Sequence, residues 1–311
     1  ISGNCSVIAT FLSNTPKYVS TTGNDATGNG SIGNPWQTIG KGVSSLLGGE
    51  SLIIRNGTYS GTANFITGVP GGTATRFTTI SAESPMQVRI QSTGTLLVNN
   101  NQLNLSGNFI KVDGFIFDMS GTINPAFIGD VAGSFNTVSR SIFKRGGDID
   151  GFGGLLSVTG SNNLFEDLAG VGACGICFKQ GGPSATTQRN IWRRVVGRFD
   201  YSNSTQPKAT FATFGSNTVG NVRDHLYQNV IAIDGQNPGN LSGTEKMGGF
   251  YASLNTSNIS MQGSMVLNEG VGSAGVFLRE LGSFNNASHT VVWDLRNSLA
   301  SAPGVIGGSA D

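Results

Sequence analysis

A short apolar segment recurs about every 27 residues along most of this 311-residue chain. Clear copies lie at 110–117, 136–143, 163–168, 190–195 and 225–230, and weaker ones at 258–261 and 289–292. Gly, Asn and Ser separate the copies, and no long stretch of the sequence has helical periodicity. Periods of 20–50 residues are typical of solenoids and propellers, but a four-stranded propeller blade needs about 40 residues. The repeat therefore predicts an all-β fold, a parallel β-helix whose coils each contribute short strands.

Alignment of the copies places one large apolar residue per coil in a single inward column: Val138, Phe165, Trp192 and Tyr227. The next two positions form outward columns. In the first of these, Glu166 lies beside Arg193; in the second, Asp167 lies between Arg140 and Arg194. Neighbouring coils are about 4.8 Å apart, so like charges in register would repel each other. The alternating charges support this register and favour a structural ion-pair ladder over a binding surface.

Composition and charge exclude several classes of protein. Lys and Arg total 19 and Asp and Glu total 18, so the chain lacks the basic field on which nucleic-acid binders rely. Its longest apolar runs are far shorter than the 18 or more residues of a membrane-spanning helix. Eighteen Phe residues spread along the chain argue against disorder. We expect a folded protein with no nucleic-acid partner and no membrane span.

Three N-terminal segments carry a family resemblance: YVSTTGND at 18–25, GNPWQTI at 33–39 and GGESLIIRNGTY at 48–59. They resemble the opening of the right-handed parallel β-helix proteins of the pectate-lyase-like superfamily. The resemblance implies a right-handed solenoid with a short N-terminal capping helix at about 38–47. That helix is expected to bury one apolar face, formed by Ile39, Val43, Leu46 and Leu47. Glu50 departs from the family pattern, which often has Asp after the double Gly.

The expected organisation is an N-terminal arm at 1–17 and one β-helix domain at 18–311, with coils from about 50 to 300. The arm contains an apolar run at 7–12 that suits a strand and is too short for an export signal with its cleavage site. We interpret the chain as the mature form of an exported protein, located outside the cell or on its surface. The C-terminal end near 304–311 lacks an amphipathic cap. An apolar arm and an uncapped coil predict self-association into a polymer, and packing of the arm along its own coil is the alternative.

The chain has three cysteines, Cys5, Cys174 and Cys177. The last two form a lone CxxC motif. A zinc site would need two further ligands, and His225 and His289 are the chain's two histidines. No histidine follows the motif, which excludes covalent haem attachment. The pattern favours buried or corner cysteines, with a local disulfide as the alternative, and leaves Cys5 free or paired elsewhere.

The resemblance also indicates what chemistry to look for. Lyases of this superfamily take a proton from beside a uronate carboxylate, using Lys or Arg as the base and Ca²⁺ or another cation to neutralise the carboxylate. Asp148 and Asp150 are weak metal candidates, because a Gly-rich polar corner explains them better than a Ca²⁺ site. A solvated loop is the ordinary explanation for the basic candidates, which lie near a long insertion at 200–210: Arg198, Lys208 and Lys179. Asp200 completes the catalytic candidates of the lyase hypothesis.

Because the acidic groups are sparse, the leading hypothesis is an extracellular structural subunit of a surface layer, fibre or filament, with no cofactor. The alternative is a polysaccharide lyase or related carbohydrate-active enzyme acting on an acidic polysaccharide, with Lys208, Arg198 and Asp200 as catalytic residues. Ca²⁺ is a cofactor only under that alternative. A third hypothesis is a non-catalytic carbohydrate-binding adhesin in which exposed Phe199 and Tyr201 stack on sugars.

Overall fold

The computed structural model describes residues 15–95, 100–123, 127–145, 153–182, 185–201, 209–215, 221–234, 249–253, 256–268, 276–279, 284–288 and 291–293. These residues form a parallel β-helix with one short α-helix, α1 (Ile39–Ser44), and a 3₁₀ turn at Thr62–Asn64 near its start. Each coil of the solenoid contributes strands to two long sheets, and the paired strands stack along the rod.

The first half of the described chain contains thirteen strands: β1 (Lys17–Val19), β2 (Ser51–Ile54), β3 (Gly57–Ser60), β4 (Thr78–Ala82), β5 (Val88–Thr95), β6 (Leu103–Leu105), β7 (Ile110–Asp113), β8 (Phe115–Ile123), β9 (Gly129–Val131), β10 (Thr137–Ser139), β11 (Ile142–Arg145), β12 (Leu156–Val158) and β13 (Leu164–Ala173). The second half contains thirteen more: β14 (Ile176–Gly181), β15 (Thr187–Gln188), β16 (Ile191–Tyr201), β17 (Ala209–Phe214), β18 (Val222–Arg223), β19 (Leu226–Gln228), β20 (Ile231–Asp234), β21 (Phe250–Ser253), β22 (Ile259–Gln262), β23 (Met265–Asn268), β24 (Val276–Arg279), β25 (Phe284–Ser288) and β26 (Val291–Trp293).

Pairing between these strands is parallel throughout. Sheet 1 contains seventeen strands, and sheet 2 contains seven, β6, β9, β12, β14, β17, β21 and β24. The short strands β15 and β18 pair separately. In the described residues no helix is long and apolar enough to cross a membrane.

The inward column predicted from the repeat is confirmed. Val138 pairs with Phe165, Phe165 with Trp192, and Trp192 with Tyr227, each one coil further along the rod. All four side chains are buried, and the rings of Phe165 and Trp192 stack with their centroids 4.3 Å apart. Because successive coils present the same position to the interior, side chains separated by 27 or 35 residues meet in the core.

A buried polar network lies within this core and has no counterpart in the sequence analysis. Trp192 Nε1 donates a hydrogen bond to Gln180 Oε1 at 2.9 Å. The amide nitrogen of Gln180 donates to the hydroxyl oxygens of Tyr227 at 2.9 Å and Thr213 at 3.0 Å. The network links sheet 1 to sheet 2 across the interior, and its groups are paired as buried polar atoms require.

A ladder of asparagine side chains fixes the coils to one another. The backbone N–H of Asn136 donates to Asn163 Oδ1 at 2.8 Å, and that of Asn163 donates to Asn190 Oδ1 at 2.9 Å. The side-chain amides donate in turn to backbone carbonyls, including that of Gly160. His225 takes the next position, where its Nδ1 accepts from the Asn190 N–H at 3.2 Å. The Asn that opens the copies at 136, 163 and 190 is therefore a structural residue.

The predicted charge ladder is confirmed between β13 and β16. Arg193 Nη2 lies 2.7 Å from Glu166 Oε2, and Arg194 Nε lies 2.6 Å from Asp167 Oδ1. The Arg194 hydrogen bonds hold the pKa of Asp167 below its ordinary value. Arg140 makes its ion pair with the buried Asp113, one coil before it, instead of with the predicted partner Asp167, one coil after it. The exposed Arg194–Asp167 pair defines register more than stability.

The capping helix is shorter than predicted. It begins after the N-cap Thr38, whose side chain accepts from the Lys41 N–H, and ends at Ser44 instead of residue 47. Ser45 and Leu46 then donate to carbonyls three residues earlier, which tightens the last turn. Ile39, Val43 and Leu46 are buried as expected, but Leu47 is 57% exposed because the helix has ended before it.

Glu50, which departs from the family pattern, is buried and ties the start of the solenoid together. Its Oε2 accepts from Lys17 Nζ at 2.6 Å and from the Leu47 N–H at 2.7 Å. The longer side chain of Glu thus reaches two partners on different segments. The apolar run at 7–12 and the C-terminal residues 304–311, on which the predicted self-association depends, lie outside the described residues, as does Cys5.

Candidate functional site on the outer face of sheet 2

A column of polar side chains crosses the outer face of sheet 2. Strand register places Asn104, Asp130, Ser157 and Lys179 side by side on β6, β9, β12 and β14. The residues on either side of each, such as Phe178 and Gln180 beside Lys179, belong to the buried core. Because side chains alternate between the two faces of a strand, the polar column faces outward.

Lys179 is a half-buried amine in an aromatic environment. Its Nζ lies 5.9 Å from the ring centroid of Phe127 and 5.8 Å from that of Phe214. Phe214 packs against Tyr251 with ring centroids 5.3 Å apart, which extends the apolar surface. Burial lowers the pKa of the Lys179 amine, and the nearby Asp130 carboxylate only partly offsets this effect. A lysine of this kind is a better proton acceptor at moderate pH than a solvated one.

Asp130 has the opposite perturbation in the same environment. Burial raises its pKa, and the Ser157 hydroxyl hydrogen bond and the Lys179 charge act against that rise. Ser157 lies between the two charged residues in the column, so Asp130 and Lys179 are two strand spacings, about 9.6 Å, apart at the backbone. The column thus places Lys179, whose pKa is lowered, and Asp130, whose pKa is raised, on opposite sides of the buried Ser157 hydroxyl. Perturbed titratable groups that share a surface are typical of functional sites.

A buried cation borders this column. Arg145, at the end of β11, donates from Nη1 to the Gly154 carbonyl at 3.2 Å, two residues before β12. Burial lowers the pKa of its guanidinium to about 10, so it still carries its charge at neutral pH. A Cβ at position 154 would clash with the Ile176 carbonyl oxygen and come within 2.8 Å of the Phe127 ring, so glycine lets both approach the backbone. Arg145 is 4% exposed, so its charge lies below the surface, and Lys179 is the cationic side chain that the column itself carries.

The catalytic candidates predicted from the sequence lie away from the polar column or outside the described residues. Arg198 and Asp200 lie on β16 in sheet 1 and form an ion pair with each other, with Arg198 Nε 2.6 Å from Asp200 Oδ1. Lys208, Asp148 and Asp150 lie outside the described residues. In the part of the chain that the structure describes, no three His, Cys, Asp or Glu side chains form a group that could hold a metal ion.

The aromatic residues of the adhesin hypothesis need a correction. Phe199 is 4% exposed and belongs to the core, so it cannot stack on a sugar. In this part of β16 the odd-numbered residues Val195, Gly197 and Phe199 are buried, so Phe199 points inward. Tyr201 ends the same strand, but its side chain lies outside the described set.

Cys174 and Cys177 form a disulfide at the start of β14, and both residues are buried. The alternative predicted for the CxxC motif, a local disulfide, is thus present together with the predicted burial. The bond closes the turn that leads into the strand carrying Lys179. It therefore helps to position that strand.

Sequence reasoning selected Lys179 as a basic candidate but missed the rest of the column. The signal was present as a polar residue between inward residues in three successive sheet-2 strands, Gly-Asp-Val, Leu-Ser-Val and Phe-Lys-Gln. The spacing from Ser157 to Lys179 is 22 residues instead of 27, so a search at the repeat period does not align them.

Comparison with known proteins supports the fold. No protein-family model and no curated protein sequence matches the chain. Among solved structures, pectate lyase Pel9A is similar with a TM-score of 0.61 and 15% identity, over 94% of this chain and 82% of that one. A rhamnogalacturonan lyase is similar with a TM-score of 0.58 and 16% identity, over 85% of this chain and 73% of that one. The chain therefore has a right-handed parallel β-helix fold, which it shares with these two solved structures.

Proposed function

We propose that this chain is an enzyme that cleaves an acidic polysaccharide by β-elimination, with Lys179 as the base. The observation that carries the proposal is the half-buried Lys179 amine, whose pKa is lowered, held between two aromatic rings on an outer sheet face. Two polysaccharide lyases share the fold of this chain. This similarity supports the lyase function over the role of filament subunit that the sequence analysis favoured.

The proposed reaction needs a base next to a uronate ring. Neutral Lys179 Nζ takes the proton from the carbon that carries the carboxylate, and the electron pair of that C–H bond forms a C=C double bond. The bond from the neighbouring carbon to the glycosidic oxygen breaks, and that oxygen leaves with a proton supplied by an acid or by water. No water is added across the bond. Lys179 is ready for this step because burial disfavours its ammonium form.

The surroundings of Lys179 suit an anionic sugar. Phe127 and Phe214 offer apolar surfaces for the C–H groups of a pyranose ring. The charge of buried Arg145, whose hydrogen-bond partner Gly154 adjoins Phe127, favours a carboxylate. A substrate of this class is a polymer found outside cells, which fits an exported protein.

The function is tested by the ultraviolet absorbance of unsaturated uronate products. The purified chain is incubated with polygalacturonate, rhamnogalacturonan and alginate, and the Lys179→Met variant is compared with it. We expect at least a hundredfold loss in the variant, since it lacks the base. Lys111→Met, on an exposed position of β7, is the matched control and keeps full activity. Equal rates in the chain and its Lys179→Met variant would contradict the proposal.

A further inference from the structure

Three phenylalanines stack along the outside of the rod, at the corner between sheet 2 and the following strand of sheet 1. Phe77 contacts Phe109 edge to face with ring centroids 5.8 Å apart. The rings of Phe109 and Phe135 are nearly parallel, with centroids 4.9 Å apart and an interplanar angle of 11°. Phe135 ends the stack and is 44% exposed. We call the residues at this position the Phe135 corner: Phe77, Phe109, Phe135, Asn162 and Arg189.

One face of Phe135 is left open by the next coil. Phe109 covers the face that points toward the start of the rod, so the opposite face points toward the following coil. That coil has Asn162 at the same position, and Asn is much shorter than Phe. The step from a ring to a short amide therefore leaves the outer part of the Phe135 face uncovered, in agreement with its 44% exposure.

Polar groups border the open face. Arg189, exposed and one coil beyond Asn162, donates from Nε to Asn162 Oδ1 at 2.8 Å. The guanidinium has further N–H groups that can donate to a carboxylate or hydroxyl, and the Asn162 amide offers two more donors. An aromatic face beside an amide and a guanidinium matches a sugar ring that has one apolar face, hydroxyl groups and a carboxylate.

Backbone conformation makes Phe an unusual choice at this corner. Phe135 has a φ of 59° and Phe109 a φ of 56°, both in the left-handed region. The same corner is occupied in later coils by Asn162, Arg189, Asp224 and Asn258, and the Asn and Asp residues among them accept this conformation more readily. Stacking on Phe109 accounts for one face of Phe135, but it does not account for the exposure of the opposite face.

We infer that the Phe135 corner binds one ring of an acidic polysaccharide, with the sugar stacked on the open face of Phe135 and its carboxylate on Arg189. The identity of the polymer rests on the proposed function. Asp130, five residues before Phe135 on the same coil, belongs to the candidate site, so the corner borders the same outer face as Lys179. A polymer bound at Lys179 can continue along that face to the corner.

Retention of the full chain in native gels that contain polygalacturonate, rhamnogalacturonan or alginate tests this subsite. All variants carry Lys179→Met, so that the polymer stays intact during the run. Phe135→Asn places at this corner the residue found at positions 162 and 258, so it relieves the backbone and keeps the fold. We expect Phe135→Asn to weaken polymer binding at least tenfold, with an unchanged or higher melting temperature. Leu47→Asn removes another exposed apolar side chain, remote in sequence, and is expected to leave binding unchanged.

Arg189→Gln tests the second contact. This variant should lose affinity for the acidic polymer but not for the same polymer with its carboxyl groups reduced to alcohols.

Equal retention of Phe135→Asn and its parent would overturn the subsite, and so would a lack of retention in all three gels. Sedimentation showing a dimer that Phe135→Asn dissociates would also overturn it, since a second copy would then occupy the corner. These readouts measure binding, so they stand apart from the cleavage assay of Lys179.

Discussion

The side-chain Oδ1 of Asn190 accepts the backbone N–H of Asn163 at 2.9 Å, although 27 residues separate the two in the sequence. Asn190 also donates from Nδ2 to the Gly160 carbonyl at 3.0 Å and is fully buried. One side chain thus satisfies two backbone groups at a corner where the strands have no partner for them. The same arrangement recurs at Asn136 and Asn163, and it explains why Asn opens the copies of the repeat at 136, 163 and 190.

Replacement of Asn190 by Ala is expected to lower the free energy of unfolding by about 1–3 kcal/mol for each buried group left without a partner. Urea denaturation of the parent and the variant measures this difference. Gln37→Ala removes an exposed amide and serves as the control, with a change within about 0.5 kcal/mol. Equal losses for Asn190→Ala and Gln37→Ala would show that the ladder does not stabilise the coils.

His225 is expected to make the protein less stable in acid. Burial lowers its pKa from 6.5 to about 3, and the nearby Asp224 carboxylate offsets only part of this shift. Between these two pH values the unfolded chain binds a proton that the folded chain does not, so stability falls as pH falls. The slope of this contribution approaches about 1.4 kcal/mol per pH unit.

His225→Asn, which extends the asparagine ladder by one residue, should remove that contribution. Melting temperatures of the parent and the variant between pH 4 and 7 measure it. The two curves should lie close together near pH 7 and diverge toward acid, with the variant higher. Parallel curves over the whole range would contradict the assignment of a buried neutral histidine.

Trp192 is expected to be the largest single contributor to the core. Trp192→Ala should cost about 3–5 kcal/mol through the cavity it leaves. Trp192→Phe keeps a ring against Phe165 but removes the donor to Gln180 Oε1, so it should cost about 1–3 kcal/mol. Chemical denaturation of the two variants measures both values. A cost for Trp192→Phe equal to that for Trp192→Ala would mean that the lost hydrogen bond, and not the cavity, dominates.

The pH dependence of cleavage should report the Lys179 amine. Because burial lowers its pKa below the ordinary 10.5, the rate should rise with pH and reach half its maximum below that value. Asp130 acts in the opposite direction by favouring the charged amine. Asp130→Asn should therefore move the half-maximum to lower pH, as initial rates in a buffer series would show. An unchanged midpoint in Asp130→Asn would show that Asp130 does not influence the pKa of the group that limits the rate.

Much of the fold could be predicted from the sequence because a solenoid repeats its local physics. The position of Trp192 above Phe165 and of Arg193 beside Glu166 follows from one offset of 27 residues. The candidate site could not be predicted in the same way. Ser157 and Lys179 are 22 residues apart, because the connections that follow sheet 1 differ in length from coil to coil. The burial that changes the pKa of Lys179 comes from Phe127 and Phe214, which are distant in sequence and become neighbours only through strand pairing.

The masses of the cleavage products test the central claim most directly. Elimination breaks the glycosidic bond without adding water, so the masses of the two products of one cut sum to the mass of the substrate. We expect this result for a defined uronate oligosaccharide incubated with the purified chain, and intact substrate with the Lys179→Met variant. Products whose masses sum to the substrate plus one water, or equal cleavage by the variant, would contradict a lyase that uses Lys179 as its base.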